Sequence, residues 1–347
     1  MPDFRLVGGF RFRCLPGCGL CCYTAPAVAP SERSRLIQLD PEVPLQERPG
    51  GWSNIASRPD GGACHFLRGE RCGCHAVRPV TCAEFPLTVH VAERAQVAVV
   101  LTCPGVDLSP LTRWGDGATP GDPHRDLASE VEAIIQEVAR AEAAGELRLA
   151  ASRRRQVERR LGRAGRWQSE EEVRGLLRAR VARLIPSEIA AGEYPDEEEE
   201  LEMLPMFFEP TKGRVVWRAH PAGVEFLTLR ETGGIESHLE VLDPPARSPG
   251  LATDATTLLE GYLQYLLDRD STIGMAYERM MSGAIGLPDE IVGMDLRFIA
   301  GQVLRMATLR RALVTGTRGA LTLGDIENGI RATDMDILDR PTVGLRL

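Results

Sequence analysis

The sequence predicts an α+β protein, with an N-terminal, loop-rich cysteine-cluster domain followed by a mainly helical part that contains a small antiparallel sheet. Three observations support this fold class. All nine cysteines of the 347 residues lie within the first 103, short alternating runs between Gly and Pro loops fill this third, and helical periodicities dominate after residue 125. We expect three regions: 1–112 with the cysteines, 113–203 with helices and an acidic linker, and 204–347 with the sheet and further helices.

The N-terminal region contains short candidate elements. Residues 10–13 alternate apolar and polar side chains as a strand does, and residues 97–101 have the apolar character of a buried strand. Residues 31–39 predict a short helix with Ser31 as its N-cap. A domain with so few elements has a small core, which a bound metal can stabilise.

The middle region predicts helices. Apolar residues recur at three- and four-residue steps over 125–161, and Gly145 divides this stretch into two helices. A third helix begins at Ser169, which fits a capping box with Glu172. The acidic run at 196–200 is typical of an exposed linker.

A basic face is expected on the second of these helices. Its arginines are Arg153, Arg154, Arg155, Arg159 and Arg160. Such a face can bind phosphate, but a solvated surface paired with nearby Glu residues is the more common arrangement, and we favour it.

The last region combines strands and helices. Three runs of strand character, separated by turns that contain Gly or Pro, predict a meander: 214–218, 223–230 and 235–242. From Thr253 onward the chain is helical, with an apolar stripe formed by Leu258, Leu259, Tyr262, Leu263 and Leu266. Methionines at helical spacing in this half are typical of a core or an interface, so a protein partner or homo-oligomer is expected to bind here.

The composition argues against nucleic acid and membranes as binding partners. The formal net charge of -8 gives no overall attraction to nucleic acid or to an anionic membrane. No apolar run approaches the roughly 18 residues that span a bilayer, and the first residues lack the apolar centre of a signal peptide. We expect a cytoplasmic protein with neither membrane nor nucleic acid as its partner.

The spacing of the cysteines indicates metal binding. They occur as Cys14-x3-Cys18-x2-Cys21-Cys22, then Cys64-x7-Cys72-x-Cys74, then Cys82 and Cys103. Thiolates two to four residues apart can bind one ion or cluster, whereas a reducing cytosol and an odd count argue against a disulfide scaffold. Four thiolates suffice for one zinc ion or one four-iron cluster, so the number of sites stays open. Adjacent side chains diverge, and the Cys21-Cys22 pair therefore favours two sites or one polynuclear site.

These residues carry a family resemblance. The stretches are Cys14-Leu-Pro-Gly-Cys18-Gly-Leu-Cys21-Cys22, Cys64-His-Phe-Leu, Cys72-x-x-His75-x-x-Arg78-Pro79-x-x-Cys82-x-x-Phe85-Pro86 and Cys103-Pro104-Gly105. Together they resemble the prokaryotic YkgJ-like CxxCxxCC family of cysteine-cluster proteins, to which zinc or iron chelation is ascribed. The resemblance covers about 90 residues and implies a metal site without implying a reaction.

The resemblance implies a set of ligands and a cofactor. The ligands are Cys14, Cys18, Cys21, Cys22, Cys64, Cys72, Cys82 and Cys103. The cofactor is an iron-sulfur cluster (4Fe-4S) or zinc, and the related flagellin lysine N-methylases favour iron slightly. Arg78 is expected in the second shell, where its guanidinium would offset thiolate charge.

The sequence departs from the family pattern in two places. The gap between Cys14 and Cys18 holds three residues where the family has two. Cys74 stands at a position that is normally apolar, so we favour a spare core thiol over an added ligand. We also expect His65 and His75 to make ordinary hydrogen bonds, as most histidines do.

Three functions are compatible with these features. The first is a metal-binding protein of structural or redox role with a helical interaction platform, which we favour because residues 125–347 contain no recognisable catalytic motif. The second is a lysine-N-methylase-like enzyme that uses S-adenosylmethionine, although no Gly-x-Gly loop follows a strand. The third, a radical S-adenosylmethionine enzyme, is disfavoured by Leu20 before the third cysteine and by the absence of a barrel pattern. Catalytic residues are unknown in all three.

Overall fold

The structure is a computed structural model of the whole chain, and it confirms the α+β class. The residues it describes are 4–13, 15, 20–23, 26–48, 51–57, 63–68, 71–92, 94–114, 128–187, 206–209, 212–229, 235–242, 250–315, 319–338 and 342–346. Cys14, Cys18 and the acidic run at 196–200 lie outside these residues. Helices are concentrated in the C-terminal half, and the sheets are small.

The N-terminal third consists of short strands and two short helices. In chain order they are β1 (Phe4–Leu6), β2 (Ala27–Val28), α1 (Arg33–Leu39), β3 (Leu45–Glu47), β4 (Ser53–Ile55), β5 (Leu67–Arg68), β6 (Arg71–Cys72), α2 (Val80–Glu84), β7 (Leu87–Val91) and β8 (Ala95–Val99). Strand β4 lies between β2 and β3 in a small antiparallel sheet, and β5 and β6 form a hairpin. Single 3-10 turns occur at Leu20–Tyr23, His75–Val77 and Ser109–Arg113.

Three local predictions in this third need correction. Helix α1 begins after Glu32, which replaces Ser31 at the N-cap and makes no side-chain cap. The Glu32 carboxylate instead accepts hydrogen bonds from the backbone nitrogens of Ala29 (2.9 Å) and Val80 (2.8 Å). Residues 10–13 form no strand beyond one bridge of Phe12 to Val106, and the strand expected at 97–101 begins and ends two residues earlier.

The middle helices are α3 (Ala128–Ala143), α4 (Glu146–Arg163) and α5 (Glu170–Arg178). Gly145 separates α3 from α4 in a left-handed conformation (φ +77°), which glycine adopts without a Cβ clash. The capping box of α5 is confirmed, because Ser169 Oγ accepts from the Glu172 nitrogen and the Glu172 carboxylate accepts from the Ser169 nitrogen (2.6 Å).

A four-stranded meander and four helices follow. The strands are β9 (Met206–Glu209), β10 (Gly213–His220), β11 (Gly223–Leu229) and β12 (Ile235–Leu242), and each pairs with its neighbour in antiparallel fashion. The three predicted strands are present, and β9 is an addition. The helices are α6 (Thr253–Asp268), α7 (Asp270–Met281), α8 (Pro288–Thr315) and α9 (Leu323–Leu338), and β13 (Leu345–Arg346) ends the fold.

One large core joins the two ends of the chain. Strands β1, β8, β7 and β13 form a sheet in that order, with β1 parallel to β8 and β13 antiparallel to β7. This sheet packs with helices α3 to α9, and the predicted stripe of α6 is fully buried there. Domain boundaries at 112 and 203 stay a prediction. Among the helices that the structure describes, none has the length and apolar character needed to cross a bilayer.

Candidate metal centre

Backbone contacts bring three cysteine segments together. The Cys64 nitrogen donates to the Cys22 carbonyl oxygen (2.5 Å), which places the second segment beside the first. The β5–β6 hairpin then carries the chain to Cys72, which pairs with Leu67. Helix α2, with Cys82, is fixed to β2 because Thr81 Oγ1 donates to the Ala27 carbonyl (2.8 Å).

Four of the cysteines, Cys22, Cys64, Cys72 and Cys74, are part of a second, small core or pack against it. Its buried members are Val28, Leu36, Val43, Ile55, Cys64, Phe66 and Cys74, and the partly buried Cys22, Leu45, Cys72 and Val77 pack against them. Below, "the small core" means this set. Cysteine therefore supplies two of the seven buried residues of this core.

Cys72 and Cys74 form one close thiol pair. Their Sγ atoms are 3.5 Å apart. The hydrogen bond from the Cys74 thiol lowers the pKa of Cys72 to about 6, and the same bond raises the pKa of Cys74 far above its usual value. The pair therefore holds one proton strongly and releases the other easily, which favours one thiolate at neutral pH.

Cys21 and Cys22 form a second pair of the same kind, so the divergence expected of these adjacent side chains is wrong. The hydrogen bond from Cys22 lowers the pKa of Cys21, and it raises the pKa of Cys22. Cys21 is exposed and Cys22 is partly buried. One thiolate next to one thiol is thus available at each of two places.

Cys82 connects the two pairs electrostatically. Burial, followed by the charges of Cys64, Cys21 and Cys72, raises the pKa of Cys82 to about 12. Thiols that raise each other's pKa cannot all ionise without a compensating positive charge. A metal cation supplies that charge and binds the thiolates.

Cys103 packs against the large core instead. Its carbonyl oxygen accepts a hydrogen bond from Arg331 on α9 (2.6 Å). Two residues later, the Gly105 carbonyl accepts from the Arg13 nitrogen (3.1 Å), and a Cβ on Gly105 would lie 1.9 Å from the Arg13 carbonyl oxygen. The turn after Cys103 therefore lies against the residue that precedes Cys14 in the sequence, and Gly105 permits this contact.

Arg78 and the two histidines surround the thiols. The charge of Arg78 contributes to the lowered pKa of both Cys21 and Cys72, and its Nη1 lies 3.0 Å from His75 Nε2. His65 Nε2 lies 2.7 Å from a carboxylate oxygen of Asp40. Each histidine thus lies within hydrogen-bonding distance of a charged side chain, in agreement with the ordinary hydrogen bonds that we expected for them.

The donors fit a thiolate-bound metal by their chemistry. Sulfur ligands suit zinc and iron, and no other donor type takes part in the two close pairs. Within the described part of the chain, no three Cys, His, Asp or Glu side chains are arranged closely enough to enclose an ion.

Sequence reasoning missed two residues that position this region. Glu32 links α1 to the start of α2, and Arg331 holds the carbonyl of Cys103. Neither has a local signal, because the partner is 48 residues away in the first case and 228 in the second.

The basic face of α4 is only partly paired. Arg153 contacts Glu278 and Arg154 contacts Glu170, each at 2.6 Å. Arg155, Arg159 and Arg160 are exposed and form no ion pair with any described residue. The expected pairing with Glu therefore holds for two of the five arginines.

Comparison with known proteins finds a family model that the cysteine region matches. Residues 13–104 match the model of the CxxCxxCC family, described as "Putative zinc- or iron-chelating domain". Searches of curated proteins and of solved structures return no match. The match supports metal binding by the cysteine cluster.

Proposed function

We propose that the cysteine cluster holds a thiolate-bound metal centre, zinc or a 4Fe-4S cluster, which stabilises the N-terminal domain while the helical half serves as an interaction platform. The observation that carries the structural role is the composition of the small core. Two of its seven buried residues are cysteines, and two more cysteines pack against it. Three candidate ligands, Cys22, Cys64 and Cys72, are thus part of this core or pack against it.

The energy scale supports this role. Five buried apolar side chains of the small core contribute about 1.5–3 kcal/mol each. A structural zinc site contributes about 10–16 kcal/mol, which is similar to the five together. The metal would thus supply about half of the favourable free energy of this core.

A reducing compartment fits the state of the thiols. None of the seven cysteines among the described residues forms a disulfide. Such thiols persist in a cytoplasm, where disulfides are rare, and they are then available to metal. We infer a cytoplasmic location from this chemistry.

An apolar patch supports the interaction platform. It consists of Ile285, Leu287, Met294 and Phe298, at the start of α8 and in the turn before it, and Ile285 is 90% exposed. Arg166 fixes this turn, because it donates to the carbonyls of Ala284 (2.7 Å) and Gly286 (2.8 Å). A turn whose backbone is already fixed loses less backbone entropy when a partner binds it.

The metal is tested by analysis of protein purified without oxygen. Iron with acid-labile sulfide and a brown colour would identify a cluster, whereas about one or two zinc ions per colourless chain would identify a zinc site. Protein that binds neither metal would contradict the proposal. Calorimetric titration of the same sample with S-adenosylmethionine tests the alternative, a lysine-N-methylase-like enzyme.

The platform is tested with Ile285→Arg. If the patch binds a second copy, sedimentation should show a wild-type assembly that this charge disrupts. Leu149→Arg is the matched control, because Leu149 is an exposed leucine on α4 (71%). Equal sedimentation of wild type and both variants would contradict self-association through the patch.

A further inference from the structure

The Cys72-Gly73-Cys74 turn holds two thiols in a fixed arrangement. Cys72 ends β6, and Cys74 begins the 3-10 turn His75–Val77, in which the Val77 nitrogen donates to the Cys74 carbonyl (2.8 Å). Between them, the Gly73 nitrogen donates to the Phe66 carbonyl (2.7 Å), and a Cβ on Gly73 would lie only 3.0 Å from that oxygen. The backbone on both sides of the pair is therefore held by hydrogen bonds.

The separation of the two sulfurs matches a shared ligand position. Side chains two residues apart in an extended strand are separated by about 6.6 Å, so the turn has brought these sulfurs together. Their distance of 3.5 Å is far longer than the roughly 2.05 Å of a disulfide. Four sulfurs bound at 2.3 Å to a tetrahedral ion lie about 3.8 Å from one another, which differs from the observed distance by only a few tenths of an ångström.

We infer that Cys72 and Cys74 bind the same metal ion, as two of the four sulfur ligands of a tetrahedral, zinc-type centre. This inference rests on the proposed function and assigns a ligand, Cys74, that the family pattern does not contain. A four-iron cluster takes one cysteine on each iron, so two of its cysteine sulfurs do not share a metal. The pair geometry therefore favours a mononuclear centre at this turn.

The burial of Cys74 fits a ligand as well as a core residue, and its contact with a second thiol favours the ligand. Its side chain is 3% exposed and packs within the small core. Its sulfur also lies 3.5 Å from the sulfur of Cys72, as two ligands of one ion do. Val77 lies in the same 3-10 turn and packs against the same small core, but its side chain has no atom that can bind a metal. It is therefore a suitable apolar residue for comparison with Cys74.

The test replaces the sulfur and keeps the packing. Cys74→Val restores an apolar residue of similar size, and Val77→Ala is the matched control that disturbs the same core without removing a donor. Zinc affinity is measured by competition with a chromogenic chelator, and the ligand set is read from the sulfur-to-cobalt absorption of Co²⁺-loaded protein. We expect Cys74→Val to weaken zinc binding at least about 100-fold and to lose about a quarter of the cobalt band, one thiolate in four. Val77→Ala should keep both.

The possible results separate the inference from the proposed function. If wild type binds zinc and Cys74→Val matches it in affinity and cobalt spectrum, Cys74 is a spare thiol and only the inference fails. If wild type holds a four-iron cluster that Cys74→Val retains, the inference again fails alone. If wild type binds no metal, both fail.

A measurement on the wild type covers the case in which Cys74→Val does not fold. Wild-type protein is loaded with ¹¹³Cd²⁺ in place of zinc, and the couplings between the cadmium nucleus and the cysteine β-protons are read by NMR. Shared coordination predicts that one cadmium nucleus couples to the β-protons of both Cys72 and Cys74. A cadmium nucleus that couples to Cys72 and not to Cys74 would overturn the inference.

Discussion

Arg78 shows how one side chain acts on two thiol pairs. The pKa of Cys72 is about 6, mainly because of the hydrogen bond from Cys74, and the charge of Arg78 contributes in the same direction. The same charge contributes to the lowered pKa of Cys21. Since thiolates bring negative charge into a partly buried site, a nearby guanidinium reduces the cost of gathering them.

Arg78→Gln should therefore raise the pKa of Cys72. A positive charge stabilises the thiolate, so without it the thiol keeps its proton to higher pH and reacts more slowly near pH 7. The measurement is zinc affinity as a function of pH, because protons compete with zinc for the Cys72 thiolate and a higher pKa moves this competition to higher pH. The pKa of Cys72 in the folded protein lies below its unfolded value, so the stability that its thiolate contributes is fully present above pH 9 and is lost as the pH falls through about 6. In Arg78→Gln the folded pKa is closer to the unfolded value, so this contribution should be smaller and should be lost at a higher pH.

Arg71→Gln is the control for that experiment. Arg71 is an exposed arginine next to Cys72 on the β5–β6 hairpin. The pKa of Cys72 is shifted by Cys74, by burial and by Arg78, and not by Arg71. Superimposable pH profiles for Arg78→Gln and wild type would show that Arg78 has no electrostatic role at the thiols.

Helix α9 connects the helical half to the last candidate ligand. Arg331 donates to the carbonyls of Cys103 (2.6 Å) and Val106 (2.9 Å). One turn later, the buried Asp334 accepts from the Leu101 nitrogen (2.7 Å) and pairs with the buried Arg269 (3.1 Å). The helix thus fixes the chain on both sides of Cys103, and the position of this cysteine depends on an element more than 200 residues away.

Arg331→Ala should weaken both the fold and the metal site. Hydrogen bonds from a charged donor are worth about 1.5–3 kcal/mol, and their loss leaves two carbonyls without this partner. We expect the free energy of unfolding to fall by about that amount and the chelator resistance of the bound metal to fall with it. Urea unfolding followed by circular dichroism measures the first, and competition with a chelator measures the second.

Two further variants show whether the effect depends on the two hydrogen bonds of Arg331. Arg331→Lys keeps the charge but lacks the planar fork that reaches both carbonyls, so it should restore only part of the loss. Arg297→Ala removes an exposed arginine on α8 and should change neither quantity. A variant Arg331→Ala with wild-type metal retention would show that α9 does not position Cys103.

At the scale of the molecule, local sequence signals predicted individual helices and strands but not how these elements pack together. The Ser169 capping box and the break at Gly145 depend on residues within a few positions, and both are present. The N-cap at Ser31 failed because Glu32 is held by a contact to Val80. Likewise, no periodicity shows that β13 joins β7, since this pairing depends on the packing of the whole chain.

The metal site was predictable to a similar extent. Cysteine spacing indicated which thiols belong together, because turns of two to four residues impose their own geometry. It did not indicate that Cys74 faces Cys72, which depends on the hydrogen bond of Gly73 to Phe66. Nor did it show that Cys103 packs against the large core and not the small one.

The two cores predict how the protein responds to loss of metal. Strands β7 and β8 belong to the large core, together with helices from the C-terminal half. Among the residues that the structure describes, only the segment from Cys22 to Val77 contributes to the small core. A metal bound by these thiols therefore stabilises the small-core segment and the adjoining α2 more than the rest of the N-terminal third.

Removal of metal with a strong chelator should therefore unfold this segment and leave the large core intact. About half of the favourable free energy of the small core is lost with the metal, while the helices keep their apolar contacts. Limited proteolysis should cut first between residues 22 and 85, with far-ultraviolet circular dichroism nearly unchanged. Addition of zinc should restore resistance, which separates metal loss from damage by the chelator. A segment that stays resistant without metal would refute the structural role, and cooperative loss of all helical signal would show that the two cores unfold as one.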